Sequence, residues 1–354
     1  MTNVAEVITE TDIKCVVWDL DHTLWSGVLM EDGDVYVKPE IITIIQTLDK
    51  RGILQSIASK NDYDLAMQKL DAFGLKDYFL YPKINWNAKS HSIAQIREAL
   101  NFGIDTFAFI DDQAFERDEV QSIHPEVLTV DAIDAAYVLT HTRFNPRFIT
   151  EDSARRRAMY QSDIVRNNEE SVYNGPKDKF LASLDMKFTL SEATTADLQR
   201  AEELTIRTNQ LNATGKTYDY HELDFYRKSP DHKLYVCELT DKYGSYGKIG
   251  LALVEEQEQF DYLKLLLMSC RVISRGVGTV LLSFLMKRAK QHNKLLRADF
   301  RKTGRNDLMY ITYKFANFRE VEQLNEHDYV LENDISYVQN YPDFISVCEP
   351  KECM

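Results

Sequence analysis

The sequence predicts two domains of different class: an α/β domain on a parallel sheet, then a mixed α+β domain. Three observations carry this. The chain has 354 residues, against roughly 150 for an average domain. Residues 13–135 alternate short apolar runs with helical patterns, the order that builds a parallel sheet with helices on both faces. Beyond residue 185 the order becomes helices, three strand-like runs, then helix, strand and helix. The expected division is 1–145 for the first domain, 146–185 for a helical linker and 186–354 for the second.

Ile13–Trp18 (IKCVVW) reads as a buried strand. Asp32-Gly33 between β-prone runs suggests a small hairpin over 27–37. Pro39 marks a helix start, and Gly52 follows that helix's end. Ile53–Ala58 is a second apolar strand, Asp62–Phe73 a helix closed by Gly74, Ser90–Leu100 another helix, and Thr106–Ile110 (TFAFI) a third strand. Residues 146–185, rich in Arg, Asp, Glu and Asn around Asn174-Gly175-Pro176, read as helix plus turn. In the second domain, 195–211 and 219–229 are helix-like, and 233–240, 247–255 and 260–272 strand-like. A long amphipathic helix (277–292), a strand (295–300) and a helix (306–316) follow.

Composition narrows the function classes. With 44% hydrophobic residues the chain can bury a substantial core. The formal net charge of −14 argues against whole-surface binding to nucleic acid or anionic lipid, because phosphates attract cations. No apolar run approaches the roughly 20 residues of a membrane span. The acidic, polar start MTNVAEVITETDIK lacks a basic-then-apolar leader, so a cytoplasmic protein is expected. Cys15, Cys237, Cys270, Cys348 and Cys353 are scattered without a CxxC, indicating neither a disulfide framework nor a zinc site.

The first domain's chemistry is legible at its strand ends. Asp19-Leu20-Asp21-His22-Thr23 follows the first strand directly, the second strand leads into Ser59-Lys60, and the third ends in Asp111-Asp112. Lys89 opens a helix. The carboxyl edge of a parallel sheet is its usual active edge. Phosphoryl transfer to a carboxylate needs this set: one Asp attacks phosphorus, a second handles protons, further carboxylates hold Mg²⁺, and Lys and Ser offset phosphoryl charge.

These pieces resemble the four motifs of the haloacid dehalogenase (HAD) superfamily of phosphatases. The resemblance implies Asp19 as nucleophile, Asp21 as acid/base, and Ser59, Lys89 and Asn61 as phosphate ligands. It places Mg²⁺ among Asp19, Asp21, Asp111 and Asp112. His22 stands where many members have Asn or Gly. Only 37 residues separate Asp21 from Ser59 and 29 separate Ser59 from Lys89. Neither gap holds a cap domain, so an open site is expected.

In the second domain, Arg275-Gly276-Val277-Gly278-Thr279-Val280 lies between strand and helix, where backbone N–H groups can approach a phosphate. It resembles the R-x-x-G-x-G/A loop of GNAT acyltransferases, which holds the pyrophosphate of coenzyme A, with Val280 a departure at the last position. That departure leaves room for a single-phosphate pantetheine arm, with Arg271, Arg275, Gly276 and Gly278 near it. Tyr313, within Asn306…Asn317-Phe318, matches the family tyrosine that protonates a leaving thiolate. Cys270, just before the loop, is either an acyl-carrying thiol favoured by Arg271 or a small buried strand residue. Asn209, Gln210 and Asn212 either bind glyceryl hydroxyls or pantetheine amides, or form a helix-end turn. Residues 271–305 carry ten Lys/Arg against Asp299 alone, either a docking patch for an acidic partner or a solvated helix face.

Both halves together resemble the FkbH-like family of glyceryl transferase/phosphatases of polyketide biosynthesis, whose phosphatase half belongs to HAD subfamily IIIC. The segments are KCVVWDLDHTLW (14–25), YFLYPKINWNAKS (78–90), TFAFIDDQAFERDEV (106–120), RTNQLNATGKTY (207–218) and LMSCRVISRGVGTVLL (267–282). The resemblance implies that 1,3-bisphosphoglycerate donates its acyl group to an enzyme thiol and loses the remaining phosphate. The glyceryl group then passes to the phosphopantetheine arm of an acyl carrier protein. The competing expectations are a phosphatase fused to a coenzyme A-dependent N-acetyltransferase, and a protein phosphatase with a partner-binding second domain.

Overall fold

The computed structural model describes residues 11–333 and 335–350. Cys353 and most of the N-terminal stretch lie outside the described residues. The chain divides into two compact units, Met1–Gln161 and Ser162–Met354.

The first unit contains β1 (Cys15–Trp18), α1 (Leu29–Asp32), α2 (Pro39–Lys50), β2 (Leu54–Ser59), α3 (Tyr63–Ala72) and β3 (Lys83–Ile84). It continues with α4 (Lys89–Leu100), β4 (Phe107–Asp111), α5 (Ala114–Ile123), β5 (Leu128–Asp131) and α6 (Glu151–Ala154), and α7 (Arg156–Val172) begins in it. All five strands are parallel, in the order β3-β2-β1-β4-β5. Their carboxyl ends therefore share one edge. β1 is central and wholly buried, which is why its sequence is a continuous apolar run instead of an alternating one. Its Trp18 indole donates to Gln55 Oε1 at 3.1 Å, and Gln55 Nε2 donates to the Ile45 carbonyl at 3.0 Å. A polar pair thus sits in the core with its hydrogen bonds made.

The expected hairpin over 27–37 is instead the single helical turn α1. The Asp32 carboxylate accepts from Val28 N–H at 2.7 Å, and Gly33 ends the turn at φ +69°. One bridge, Ser26 to Tyr36, remains of the expected pairing.

The second unit contains α8 (Lys177–Ala182), β6 (Met186–Glu192), α9 (Leu198–Arg207), α10 (Tyr220–Lys228), β7 (His232–Asp241) and β8 (Gly244–Glu256). β9 (Phe260–Met268), α11 (Val277–Gln291), β10 (Leu295–Arg301), α12 (Asp307–Phe315), β11 (Phe318–Gln323), β12 (Asp328–Asn333) and β13 (Ile345–Cys348) follow. The sheet order is β11-β12-β10-β9-β8-β7-β6-β13, with β9 and β10 parallel at its centre. The helix expected over 195–211 ends at Arg207, and the strand expected over 260–272 ends at Met268, where a 3₁₀ turn (Cys270–Val272) begins.

β9 and β10 pair only from Phe260–Leu263 to Leu295–Ala298 and then diverge. Residues 211–213 fill the split. Ala213 N–H donates to Leu266 O, Met268 N–H to Leu211 O, and Arg301 N–H to Ala213 O, each at 2.9 Å. The buried Asn306 amide fastens this wedge by donating to the carbonyls of Asn212 and Arg301, both at 2.9 Å. Its Oδ1 accepts from Thr303 N–H at 3.0 Å. Truncation would leave buried carbonyls unpaired, at about 1–3 kcal/mol for each desolvated group. Asn306→Ala is therefore expected to lower the urea midpoint of the second unit's unfolding, with a loss of about 2–4 kcal/mol; Asn306→Asp, which lacks the donor, should be comparably weakened.

Candidate functional site

The shared carboxyl edge of the first unit collects buried ionisable groups. Asp19 follows β1, Ser59 ends β2, Asp111 ends β4 and Lys89 opens α4. Lys89 Nζ donates to Asp19, to Asp111 at 3.0 Å and to the Ala58 carbonyl at 3.0 Å, and pairs with Glu116 at 2.9 Å. The Ser59 hydroxyl hydrogen-bonds Asp19. Burial and the neighbouring Asp19 charge push the Asp111 carboxyl up to about 7 against the pull of Lys89. Burial likewise raises Asp19, opposed by Lys89 and Ser59. At Glu116 burial is outweighed by Lys89 and Lys60, and the carboxyl is lowered.

Glu116 and its partner Lys60 (2.7 Å) were not singled out from the sequence. Their signal was present: Glu116 lies in the first turn of α5, one turn beyond Asp111-Asp112, at the same sheet edge. One carboxylate oxygen from each of Asp19, Asp111 and Glu116 lies within 4.8 Å of the others. These hard oxygen donors, with an excess of negative charge, suit Mg²⁺.

Two expected metal ligands are placed differently. Asp21 accepts from Trp25 Nε1 at 2.7 Å, Leu29 N–H at 3.1 Å and Asn61 Nδ2 at 3.0 Å. These bonds hold its carboxylate beside the cluster, and Asn61, whose amide nitrogen has two donors, spends one of them on orienting Asp21. Asp112 accepts from the Thr23 hydroxyl at 3.4 Å, and its N–H donates to the same oxygen at 3.0 Å. It ties two loops together outside the three-carboxylate group. His22 has φ +55°, a left-handed conformation that Gly and Asn adopt most readily.

The second unit has a cavity of about 560 Å³. Gly276, Gly278 and Thr279 line it at the start of α11, Leu308, Ile311, Thr312 and Phe315 on α12, and Leu211 and Met268 at the wedge. Gly276 adopts φ +80°, and a Cβ on Gly278 would approach Met268 Cε to 3.2 Å, so both glycines have local reasons to be glycine. No titratable side chain lines the cavity among the described residues.

Several sequence expectations fail here. Tyr313 is fully buried, its ring 4.9 Å from that of Phe318, and it does not line the cavity. A helix turns about 100° per residue, so the exposure of Thr312 to the cavity turns Tyr313 into the core. Arg275 is buried against Glu170 at 2.8 Å, and Arg271 donates to the Tyr246 carbonyl at 2.7 Å. Both arginines therefore serve the fold. Asn212 is buried, its Oδ1 accepting from Thr214 and Gly215 N–H groups. Asn209 is exposed. Part of the basic run is neutralised by pairing within the fold. Arg288 pairs with Asp261 and Glu256, Lys294 with Asp261, Arg297 with Glu332 and Arg301 with Asp328. Cys270 is half-buried in the 3₁₀ turn, two residues from both Met268 and Val272, which line the cavity, though it does not line it itself.

The first unit is thus an α/β fold on an all-parallel five-stranded sheet, with no separate cap domain among the described residues, and the second is a mixed α+β fold on an eight-stranded sheet. No family model matches the chain, and no curated protein matches it. Among solved structures, it is similar to the N-terminal part of BF1531 from Bacteroides fragilis, which contains a phosphatase domain complexed with Mg. The two are 29% identical over 38% of this chain and 41% of that one, with a TM-score of 0.36; the chain thus spans under half of that relative's length. It is also similar to the ribosomal-protein-S18-alanine N-acetyltransferase from Escherichia coli, at 16% identity over 43% of this chain and 97% of that one, with a TM-score of 0.34. The PaiA N-acetyltransferase from Thermoplasma acidophilum, in complex with coenzyme A, is 15% identical over 41% and 98%, with a TM-score of 0.33. No helix among the described residues is long and apolar enough to cross a membrane.

Thiol accessibility separates the cysteines. Cys15 and Cys237 are fully buried, and desolvation pushes both thiols far up. Since the thiolate is the reactive form, iodoacetamide at neutral pH should label Cys270 and Cys348 at least tenfold faster than Cys15 and Cys237, read by peptide mass spectrometry.

Proposed function

We propose that this chain is a glyceryl transferase/phosphatase of the FkbH-like kind, acting on 1,3-bisphosphoglycerate and an acyl carrier protein in polyketide biosynthesis. The observation that carries it is the buried Asp19–Lys89–Asp111–Glu116 cluster at the sheet edge, with Asp21 oriented beside it by Asn61 and Trp25.

In the first unit, an Asp19 oxygen forms the new bond to phosphorus while the ester oxygen leaves with a proton from Asp21. Water then attacks phosphorus and gives its proton to Asp21, releasing inorganic phosphate and restoring Asp19. Asp19, Asp111 and Glu116 would hold Mg²⁺, which offsets phosphoryl charge when bound. Lys89 and Ser59 supply the remaining stabilisation.

For the acyl half, Cys270 is the best placed of the described thiols, because it flanks the cavity and Cys15 and Cys237 are fully buried. Its thiolate attacks the acyl-phosphate carbonyl, the C–O bond to phosphate breaks and a thioester remains. Exchange with the phosphopantetheine thiol loads the carrier. The apolar cavity suits the neutral pantetheine arm. The alternative is a coenzyme A-dependent N-acetyltransferase, which needs a group to take a proton from the amine; it predicts coenzyme A binding and an amine acceptor.

Asp19→Asn is expected to lose at least a thousandfold of Mg²⁺-dependent phosphate release from p-nitrophenyl phosphate, and EDTA should abolish wild-type activity reversibly. With 1,3-bisphosphoglycerate, intact-protein mass spectrometry should show an acyl adduct absent from Cys270→Ser. An adduct lost only in Cys15→Ser would move the thiol, and no adduct with phosphate release intact would favour a phosphatase with a binding domain.

A further inference from the structure

Helix α4 opens without a cap of its own. The first N–H groups of a helix have no partner inside it, a need usually met by a Ser, Thr, Asp or Asn side chain just before the first turn. Ala88 stands there and offers none. The acceptor comes from another helix. The Glu119 carboxylate on α5 accepts from the Ser90 N–H at 3.1 Å and from the Ser90 hydroxyl. The helix dipole also favours a negative charge at that end. His124, which follows α5, faces the Ser90 carbonyl through Nε2 at 3.1 Å; because a carbonyl only accepts, Nε2 carries the proton. All three polar groups of Ser90, itself buried, thus go to α5 and the residue after it.

Ser90 adjoins Lys89, so α5 meets Lys89 at both ends. Glu116 and Glu119 lie three residues apart, on one face of α5. Glu116 pairs with the Lys89 ammonium at 2.9 Å, and Glu119 holds the backbone beside the base of the same side chain. α5 is in turn fixed to the site, because Arg117 donates to the Asp111 carbonyl at 2.7 Å and to Asp131 at 2.6 Å. The two grips fare differently during turnover. Asp19 loses its charge when it bonds to phosphorus, and Asp111 and Glu116 are candidate Mg²⁺ ligands. Glu119 belongs to neither set, so its hold on the base of Lys89 persists when the partners of the ammonium change. An ammonium on a four-carbon stem is a flexible point charge, and misplacing a catalytic group by about 1 Å can cost on the order of a hundredfold in rate.

We propose that Glu119 is a positioning residue for phosphoryl transfer, which holds Lys89 at the phosphoryl group through the backbone and hydroxyl of Ser90. This rests on the phosphatase reading above and adds to it a residue outside the reacting set.

The test pairs two readouts on the full chain. Hydrolysis of p-nitrophenyl phosphate with Mg²⁺ reads the chemistry, and reductive methylation followed by peptide mass spectrometry reads the placement of the Lys89 amine. Glu119→Ala is expected to lower kcat at least tenfold with KM within threefold, the pattern of a lost transition-state interaction. Glu119→Gln, whose amide can accept from the Ser90 N–H and donate to its hydroxyl, should recover most of kcat. Ser90→Ala, which keeps the N–H, should lose at least threefold, and joining it to Glu119→Ala should cost less than the product of the two single losses. In Glu119→Ala, methylation of buried Lys89 should rise at least fivefold while that of exposed Lys60 stays unchanged; a general loosening of the sheet edge would raise both. A folded Glu119→Ala with unchanged kcat would overturn the inference, as would a Glu119→Gln that loses as much as Glu119→Ala, or losses from Ser90→Ala and Glu119→Ala that simply multiply. If Glu119→Ala fails to fold, Ser90→Ala decides: a threefold loss in kcat at constant KM upholds the inference and unchanged kcat overturns it. If the wild type leaves p-nitrophenyl phosphate uncleaved, the phosphatase reading falls, and methylation decides the placement alone: a rise confined to Lys89 upholds it and no rise overturns it.

Discussion

The Lys89 ammonium is the constraint on which the first unit's site depends. It is buried, and it meets Asp19 from the end of β1, Asp111 from β4, Glu116 from α5 and the Ala58 carbonyl from β2. Three buried carboxylates so close would otherwise repel one another and take up protons. Removing one member of such a buried set typically costs about 3–5 kcal/mol, because it strands the others. One side chain thus draws four elements to a common point and opposes the push of burial on their carboxylates. The opposing pushes are visible in the same groups: Asp111 is raised to about 7 while Glu116, paired with two lysines, is lowered.

That arrangement explains which parts of the site were legible in the sequence. Asp19, Ser59, Lys89 and Asp111 stand at the ends of strongly apolar strands or at a helix start, so locating the strands located the residues. Glu116 was missed because it belongs to a helix whose polar first turn looks like an ordinary solvated start. Asp21 and Asp112 sit in the right loops, but their side-chain directions are decided by Trp25, Asn61 and Thr23, contacts that spacing does not reveal. The edge strands were also missed. β3 has two residues and β5 is only half-buried, so neither carries the apolar run that marked β1, β2 and β4.

In the second unit, the sequence showed the loop-to-helix element but not what holds it. Arg275 is paired with a residue 105 positions away, and Arg271 with a carbonyl 25 away. A sequence reading sees two unassigned cations beside a glycine loop, whereas the fold uses both. Tyr313 fails for a smaller reason: one residue of helical phase separates a cavity-lining position from a core position. Asn212 looked like a ligand-binding amide, and it is instead, with Asn306, a fastener of the wedge that completes the split sheet. Amides suit that task, because each can donate and accept at once where backbone groups would be left unpaired.

The two units divide the chemistry unequally. Every strongly perturbed carboxylate lining a candidate site lies in the first unit, whereas the second unit's cavity is lined by aliphatic, aromatic, glycine, hydroxyl and amide groups. A cavity of that composition offers apolar walls and neutral hydrogen-bonding groups to what it binds. An acyl phosphate is already activated, its leaving group departs as a stable anion, and its acceptor is a thiol that ionises partly near neutral pH. The hydrolysis of a stable phosphate ester needs a nucleophile, a proton donor and charge compensation together, and the first unit brings carboxylates, a hydroxyl and a lysine to one sheet edge.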